Sequence, residues 1–329
     1  MIPKDCLSTP ASADVRHDWT SAQIREVHDL PLPELIFRAQ ITHRRHNDPL
    51  EVQLCTLLNI KTGSCPEDCA YCSQSAHHET GLKPRKLIDL EGVLAAAAAA
   101  KQAGSTRLCM GAAGREPRDG PEFEEILRMV RGVRQLGLEA CCTLGMLTRD
   151  QARRLAEAGL TAYNHNLDTG PRYYSRICST HTFEDRIETL RHVAEAGIEI
   201  CSGGIIGMGE DLSDRIDMLR VLASLDPHPR SVPINALVAV EGTPLWGRPP
   251  VDALVMVRMI ATARIVFPSS RVRLSAGRLE MSDEAQALCF LAGANSIFTG
   301  ERLLTTANPP LSHDEALLVK LGMSPLKEA

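Results

Sequence analysis

A closed (β/α)8 TIM-type barrel with an N-terminal helical extension is the fold class this sequence predicts. Short apolar runs recur near 52–59, 106–110, 138–143, 160–166, 198–203, 232–239, 271–275 and 295–298. Between them lie helical patterns, clearest at 89–103, 121–136, 148–158, 183–196, 211–224, 251–266 and 282–292. Strand alternating with helix implies a parallel sheet built from βαβ units. Eight strands with seven intervening helices favour closure over an open doubly wound sheet, which is the alternative. The length of 329 residues holds one barrel of roughly 250 residues with room for the extension.

The elements follow in order. Residues 1–30 are polar, of mixed charge and without sustained periodicity, and read as a mostly irregular arm. A helix is expected from Leu32 to His46, which gives an N-terminal arm and helix over 1–45 and a barrel domain over 46–325. The run Ala95–Ala100 continues Leu90-Glu91-Gly92-Val93-Leu94 as a helix packed closely on the sheet, given the propensity of alanine. No fixed-period repeat and no interdomain linker interrupts the pattern.

Apolar residues make up 44% of the chain and aromatics only 4%, so Ala, Leu, Val and Ile must build the core. A net charge of −5 with acids and bases interleaved argues against a nucleic-acid partner or an anionic membrane surface. Apolar stretches are short, and residues 1–20 lack a signal-peptide core, so a soluble cytoplasmic protein is expected. Eleven cysteines, an odd number, then read as metal ligands plus buried thiols.

Cys65, Cys69 and Cys72 stand in NIKTGSCPEDCAYCSQ, in the loop that follows the first strand. Loops at this end of parallel strands carry the active sites of barrel folds. Structural zinc and all-protein iron–sulfur cubanes take four ligands, so three local thiolates leave one iron free for a non-protein ligand. The rival reading is a structural zinc knot completed by His77 or His78.

A second set is spread over several strands. Arg107-Leu108-Cys109, Glu139-Ala140-Cys141 and Glu199-Ile200-Cys201 each place charged, apolar and cysteine residues near a strand's C-terminal end, and Arg271-Val272-Arg273 repeats the rhythm. Their spacing suits one, two and two βα units of roughly 30 residues. The cysteines should therefore sit at similar height around one barrel. Arg107, Glu139, Glu199 and Arg271 should balance one another a layer below, on the interior face. The register selects Cys141 over Cys142. Any one of these cysteines alone reads as a small buried hydrophobe, but three in register favour a second metal site. Cys6, Cys55, Cys142, Cys178 and Cys289 read as structural or incidental.

Polar and small residues gather at the same strand ends. Ser202-Gly203-Gly204-Ile205-Ile206-Gly207-Met208-Gly209-Glu210 permits close backbone approach to a ligand, but Leu212 stands where a dinucleotide fingerprint needs a third small residue. Gly111 and Ala112 form a similar ledge after the second strand. Asn164, Asn166 and Asp168 alternate onto one face, and Asn235 follows on the sixth strand. Such groups suit a ribose or a urea-like ligand; capping of βα loops is the bland alternative for each.

With these motifs in place, residues 35–325 resemble the biotin synthases of the radical S-adenosylmethionine superfamily. C-x3-C-x2-C with Tyr71 before the last cysteine marks the superfamily, and YNHNLDT, CSGGIIGMGE, VPIN and VRLSAGR point to the family. The resemblance implies a 4Fe–4S cluster on Cys65, Cys69 and Cys72 whose open iron chelates S-adenosylmethionine. Reductive cleavage would yield a 5′-deoxyadenosyl radical that abstracts hydrogen from dethiobiotin. It further implies a sulfur-donating 2Fe–2S cluster on Cys109, Cys141, Cys201 and Arg273. Asn166 and Asp168 would contact nucleoside and substrate, Gly203, Ile205, Gly207 and Glu210 would line the nucleoside site, and Asn164 and Asn235 would hold the ureido ring. Tyr71, Gly111 and Ala112 join the expected cofactor-binding set. A one-electron donor such as a flavodoxin, iron–sulfur assembly proteins and a homodimeric state are implied on the same ground. Arg273 is the odd ligand, because a protonated guanidinium offers no lone pair.

Two other readings compete. A lipoyl synthase would carry a second three-cysteine set near its N-terminus, where this chain has only Cys6. An iron–sulfur electron carrier or redox-sensing module would need neither eight βα units nor converging polar groups.

Overall fold

The computed structural model describes residues 15–327. The eight predicted strands close into one parallel barrel. In chain order they are β1 (Glu51–Lys61), β2 (Arg107–Ala112), β3 (Glu139–Thr143), β4 (Ala162–Asn164), a fifth strand broken into β5 (Glu199–Cys201) and β6 (Gly204–Ile206), β7 (Ser231–Ala236), β8 (Arg271–Leu274) and β9 (Ser296–Thr299). Each pairs in parallel with its neighbour, and β1–β9 pairing seals the barrel, with Leu54 opposite Ile297. The break in the fifth strand has a steric cause: a Cβ on Gly203 would lie 1.9 Å from the Pro233 carbonyl oxygen, so the strand passes β7 there without a side chain.

Two helices precede the barrel, α1 (Ser21–His28) and α2 (Leu32–His46). The second matches expectation. The first corrects the reading of 1–30 as irregular: Thr20 and Gln23 form a reciprocal capping box, and Ile24 is buried against the barrel helices. Eight residues are too few for a periodicity signal, so the cap was the legible clue. Cys6 lies outside the described residues. Arg258 donates to the Leu30 carbonyl at 2.7 Å, tying the extension to the barrel.

The outer helices are α3 (Leu90–Gln102), α4 (Pro121–Gln135), α5 (Arg149–Glu157), α6 (Phe183–Glu195), α7 (Leu212–Ala223), α8 (Ala253–Val266) and α9 (Asp283–Leu291). The alanine run lies within α3, whose N-cap Asp89 accepts from the Gly92 amide at 2.8 Å. Beyond β9 a short hairpin, β10 (Arg302–Leu303) and β11 (Thr306–Ala307), leans over the barrel mouth, and α10 (Leu311–Leu321) leads to β12 (Ser324–Pro325) against β1.

The charged layer under the cysteines is present with a changed partner. Arg107 is 1% exposed and pairs with Glu139 at 2.7 Å and Glu199 at 3.3 Å. Gln53 donates to Glu139. Glu199 takes its second cation from Arg230 at 3.6 Å, where Arg271 was expected. Arg271 opens strand β8 at the barrel floor, close to Arg230 and under the field of Glu139 and Glu51, and closes no ion pair among the described residues.

Candidate active site

The loop after β1 folds back on itself. The Cys65 amide donates to the Gln74 carbonyl at 3.0 Å, and the Ala76 amide donates to the Cys65 carbonyl at 2.7 Å. Two acids between the cysteines strap this loop to the segment before α6. Asp68 accepts from the Ser179 amide at 2.9 Å and the Thr180 amide at 3.2 Å. Glu67 accepts from Arg115 at 3.0 Å and meets the His181 ring. Burial works to raise both carboxyls, yet these donors prevail and hold each below the usual range.

A cavity of about 330 Å³ opens at the barrel mouth. Cys65, Cys69, Cys72 and Tyr71 line it, as do Gly111, Ala112, Asn164, Asn166, Asp168, Ile205 and Asn235 from the strand ends. Cys109 reaches the same cavity from β2. Gly203, Gly207 and Glu210 lie behind this wall, outside the lining. Glu210 accepts from the Gly207 amide at 2.9 Å and from Arg215 at 2.7 Å through one oxygen, and its other oxygen is buried without a partner.

Asp168 is the hub of the polar wall. Tyr71 donates to it at 2.7 Å, and Arg186 of α6 pairs with the same oxygen at 2.9 Å. Burial raises the Asp168 carboxyl, opposed by Arg186 and Tyr71. Asn166 accepts from the Gly203 amide at 3.2 Å, while Asn164 reaches Asn166 and, at 3.3 Å, Cys201 Sγ. Asn235 donates to the Gly204 carbonyl at 3.0 Å and accepts from the Ala276 amide at 3.2 Å, so loop fastening and cavity lining coincide in one side chain.

The three loop thiols suit an open-edged cluster. They face the cavity, and burial pushes Cys72 up to about 11 and raises Cys65, so metal must displace protons there. Cys178 lies behind Cys69, with the two sulfurs 3.8 Å apart, outside the cavity lining. The His77 and His78 rings bond the Pro66 and Cys69 carbonyls through Nε2, each at 3.0 Å, and neither ring joins a group of ligand atoms close enough to share a metal among the described residues. Cys69, Cys178 and His181 do bring their ligand atoms within 4.8 Å of one another. His165 lines the cavity, and its buried Nε2 has no hydrogen-bond partner.

Beneath the cavity the strand cysteines converge. Cys109 and Cys141 stand opposite each other in register and in contact. Cys141 faces Ala162, which faces Glu199, so Cys201 sits two residues further along; strand stagger in a tilted barrel restores its height. Arg273 is fully buried, donating to Cys201 at 3.7 Å and to Ser296 at 3.0 Å.

Sequence reading missed His181, Glu67, Arg115 and Arg186, and took Cys55 and Cys178 as structural or incidental. Arg186 and His181 carried no motif of their own. Cys55 shared the strand parity of Leu57, which pairs with Cys109, and that signal was available.

A C-x3-C-x2-C loop at the mouth of a (β/α)8 barrel, above a polar wall, defines a radical S-adenosylmethionine enzyme. Residues 59–222 match the Radical SAM superfamily, and residues 233–324 match the Biotin and Thiamin Synthesis associated domain. The chain belongs to the biotin synthase family. It is 65% identical to the biotin synthase of Methylobacterium sp. (strain 4-46), over 94% of this chain and 93% of that one. It is 62% identical to that of Gloeobacter violaceus, over 93% and 96%. Among solved structures, methylornithine synthase superposes with a TM-score of 0.79 at 20% identity, over 97% of this chain and 98% of that one. The FeFe-hydrogenase maturase of Carboxydothermus hydrogenoformans gives 0.79 at 17%, over 96% and 77%. These two likenesses concern the fold.

Proposed function

We propose that this enzyme inserts sulfur into dethiobiotin to form biotin, working between two iron–sulfur sites of one barrel. The observation that carries this reading is the single cavity that touches Cys65, Cys69 and Cys72 on its loop side and Cys109 on its strand side. When bound, a 4Fe–4S cluster held by Cys65, Cys69 and Cys72 would deliver the electron that cleaves S-adenosylmethionine, and a 2Fe–2S cluster held by Cys109, Cys141, Cys201 and Arg273 would supply the sulfur.

The protein's own part is positioning and shelter. Asp168, fixed between Arg186 and Tyr71, offers a carboxylate to the ribose hydroxyls of the nucleoside. Asn166 and the ledge at Gly111 and Ala112 face the same space. Ile205 packs on the nucleoside, and the fastened glycines Gly203 and Gly207 with Glu210 support that wall from behind. Asn164 and Asn235 present amides of the right chemistry for a ureido ring. The hairpin β10–β11 brings Leu303 and Leu304 over the mouth, which keeps water from a reactive carbon centre.

A one-electron donor such as a flavodoxin, iron–sulfur assembly proteins and a homodimeric state belong to the same reading, as does a cytoplasmic location. No helix of the described residues is long and apolar enough to cross a membrane. The test is anaerobic incubation of the reconstituted chain with dethiobiotin, S-adenosylmethionine and a strong reductant, with biotin detected by mass. Biotin should appear, from protein carrying about six irons per chain. Cleavage of S-adenosylmethionine with no biotin would overturn the reading.

A further inference from the structure

Beside the loop thiols lies a second set of metal donors that sulfur insertion does not use. Cys178 and His181, in the segment before α6, are both buried next to Cys69. The ligand atoms of Cys69, Cys178 and His181 lie within 4.8 Å of one another. Cys69 and His181 line the cavity, and Cys178 lies behind them, outside the lining.

The spacing is that of a tetrahedral ion. Bonds of about 2.3 Å to sulfur and about 2.0–2.1 Å to imidazole nitrogen put two sulfurs roughly 3.8 Å apart, and sulfur and nitrogen roughly 3.6 Å apart. Cys69 Sγ and Cys178 Sγ are 3.8 Å apart, and Cys178 Sγ is 3.7 Å from His181 Nε2. The other ring nitrogen, Nδ1, which also lies 3.1 Å from Cys178 Sγ, meets Glu67 Oε2. A carboxylate on Nδ1 keeps the proton there and leaves the Nε2 lone pair for a metal, as in the carboxylate–histidine pairs of zinc sites. Tyr174 packs against the ring with centroids 5.8 Å apart, which fixes its orientation. Two thiolates and one imidazole suit a borderline-soft divalent ion of the zinc class and leave one tetrahedral position for water.

We propose that Cys69, Cys178 and His181 form a further metal site, which binds a zinc-class divalent ion in the chain before its loop cluster is inserted. Cys69 belongs to both sites, so the two occupants exclude each other, and an ion here holds the loop in a cluster-free form. The exclusion rests on the reading above that Cys69 is a cluster ligand; the ion site itself does not.

The experiment uses the full chain carrying Cys65→Ala and Cys72→Ala, prepared anaerobically without iron or sulfide, with cobalt(II) as the optical probe and zinc as its competitor. Cobalt should bind with tetrahedral d–d bands and sulfur-to-cobalt absorption, and zinc should displace it. Adding Cys178→Ser, which is nearly isosteric, or His181→Asn should weaken that binding by at least about 10-fold, since even an outer-shell partner is worth that much. Cobalt held by the interior thiols is common to all three proteins and cancels in the comparison. In the wild-type chain, prior zinc should slow reconstitution of the loop cluster several-fold, and Cys178→Ser should remove the delay. Equal cobalt affinity in the three proteins, or octahedral bands alone, overturns the site. No delay in the wild type, or a delay that survives Cys178→Ser, overturns the exclusion. A loop that takes up no cluster with or without zinc overturns the cluster reading of Cys65, Cys69 and Cys72 and the exclusion with it, and the cobalt comparison still decides the site.

Discussion

Arg186 Nη2 sits 2.9 Å from Asp168 Oδ2, and that ion pair, 11% and 3% exposed, joins α6 to the loop after β4 at the wall of the cavity. Tyr71 completes it from the cysteine loop, so three separate segments meet on one carboxylate. Asp168 also adopts a left-handed backbone, φ 66°, a region that Asn and Asp tolerate best. Asp168→Asn should therefore keep the backbone and remove only the charge. Breaking a buried pair leaves Arg186 uncompensated at a cost of about 3–5 kcal/mol. Tyr71→Phe should cost about 1 kcal/mol. Denaturant titration of both variants checks the ranking; equal losses would show that the hub is not electrostatic.

Cys178 tests whether the loop cluster is open. Its sulfur is 3.8 Å from Cys69 but outside the cavity, and it takes contacts from Asp68 and His181. As an outer neighbour, its removal should weaken iron retention by about 10-fold. Loaded Cys178→Ala should still release 5′-deoxyadenosine, whereas Cys69→Ala should not. Were Cys178 a fourth ligand, the wild type would cleave no S-adenosylmethionine and Cys178→Ala would gain that activity. Product analysis by chromatography separates the two.

The barrel was legible because its signal repeats: each βα unit restates the alternation of periods two and 3.6, so single errors do not propagate. Only local features escaped, such as α1, whose eight residues show a capping box instead of a stripe. The site was legible where chemistry is local in sequence, as in Cys65, Cys69 and Cys72. It was half legible where strands bring residues together: parity placed Cys109, Cys141 and Cys201 on one wall, yet parity cannot tell which cation meets Glu199, since that depends on strand stagger. Arg186 and His181 could not be found at all. Their roles come from α6 and its preceding loop packing under the cysteine loop, a long-range contact without a sequence period.

The acid straps of the cysteine loop predict a pH dependence. Asp68 and Glu67 are held below their ordinary values, so their contribution to stability is present above the unfolded carboxylate value of about 4 and is lost as pH falls below it toward the folded values. Protection factors of the amides over residues 64–78, relative to intrinsic exchange at each pH, should fall on acidification below about pH 4. In Asp68→Asn the loop should exchange fast already at neutral pH and respond less to acid. Exchange that is slow and unchanged in the variant would place the strap elsewhere.

Another buried ion pair fixes the C-terminal segment. Arg278, just after β8, pairs with Asp314 of α10; the two side chains are 0% and 1% exposed. Arg278 also donates to Gln286 at 3.0 Å and to the Phe298 carbonyl at 2.9 Å, so one guanidinium joins the β8 loop, α9, β9 and α10. Asp314→Ala leaves that cation buried with neutral acceptors alone, and should cost about 3–5 kcal/mol. Replacing both partners with apolar residues of similar volume, Arg278→Met with Asp314→Leu, removes the uncompensated charge and should recover most of the loss. The double variant should not regain it fully, because the Phe298 carbonyl and Gln286 lose their donor, at about 1 kcal/mol each. Chemical denaturation of Arg278→Met, of Asp314→Leu and of the double gives the coupling between the sites. Strictly additive losses would mean that Arg278 is held by its carbonyl and amide partners, and that α10 is anchored by apolar packing of Leu317 and Leu318 instead.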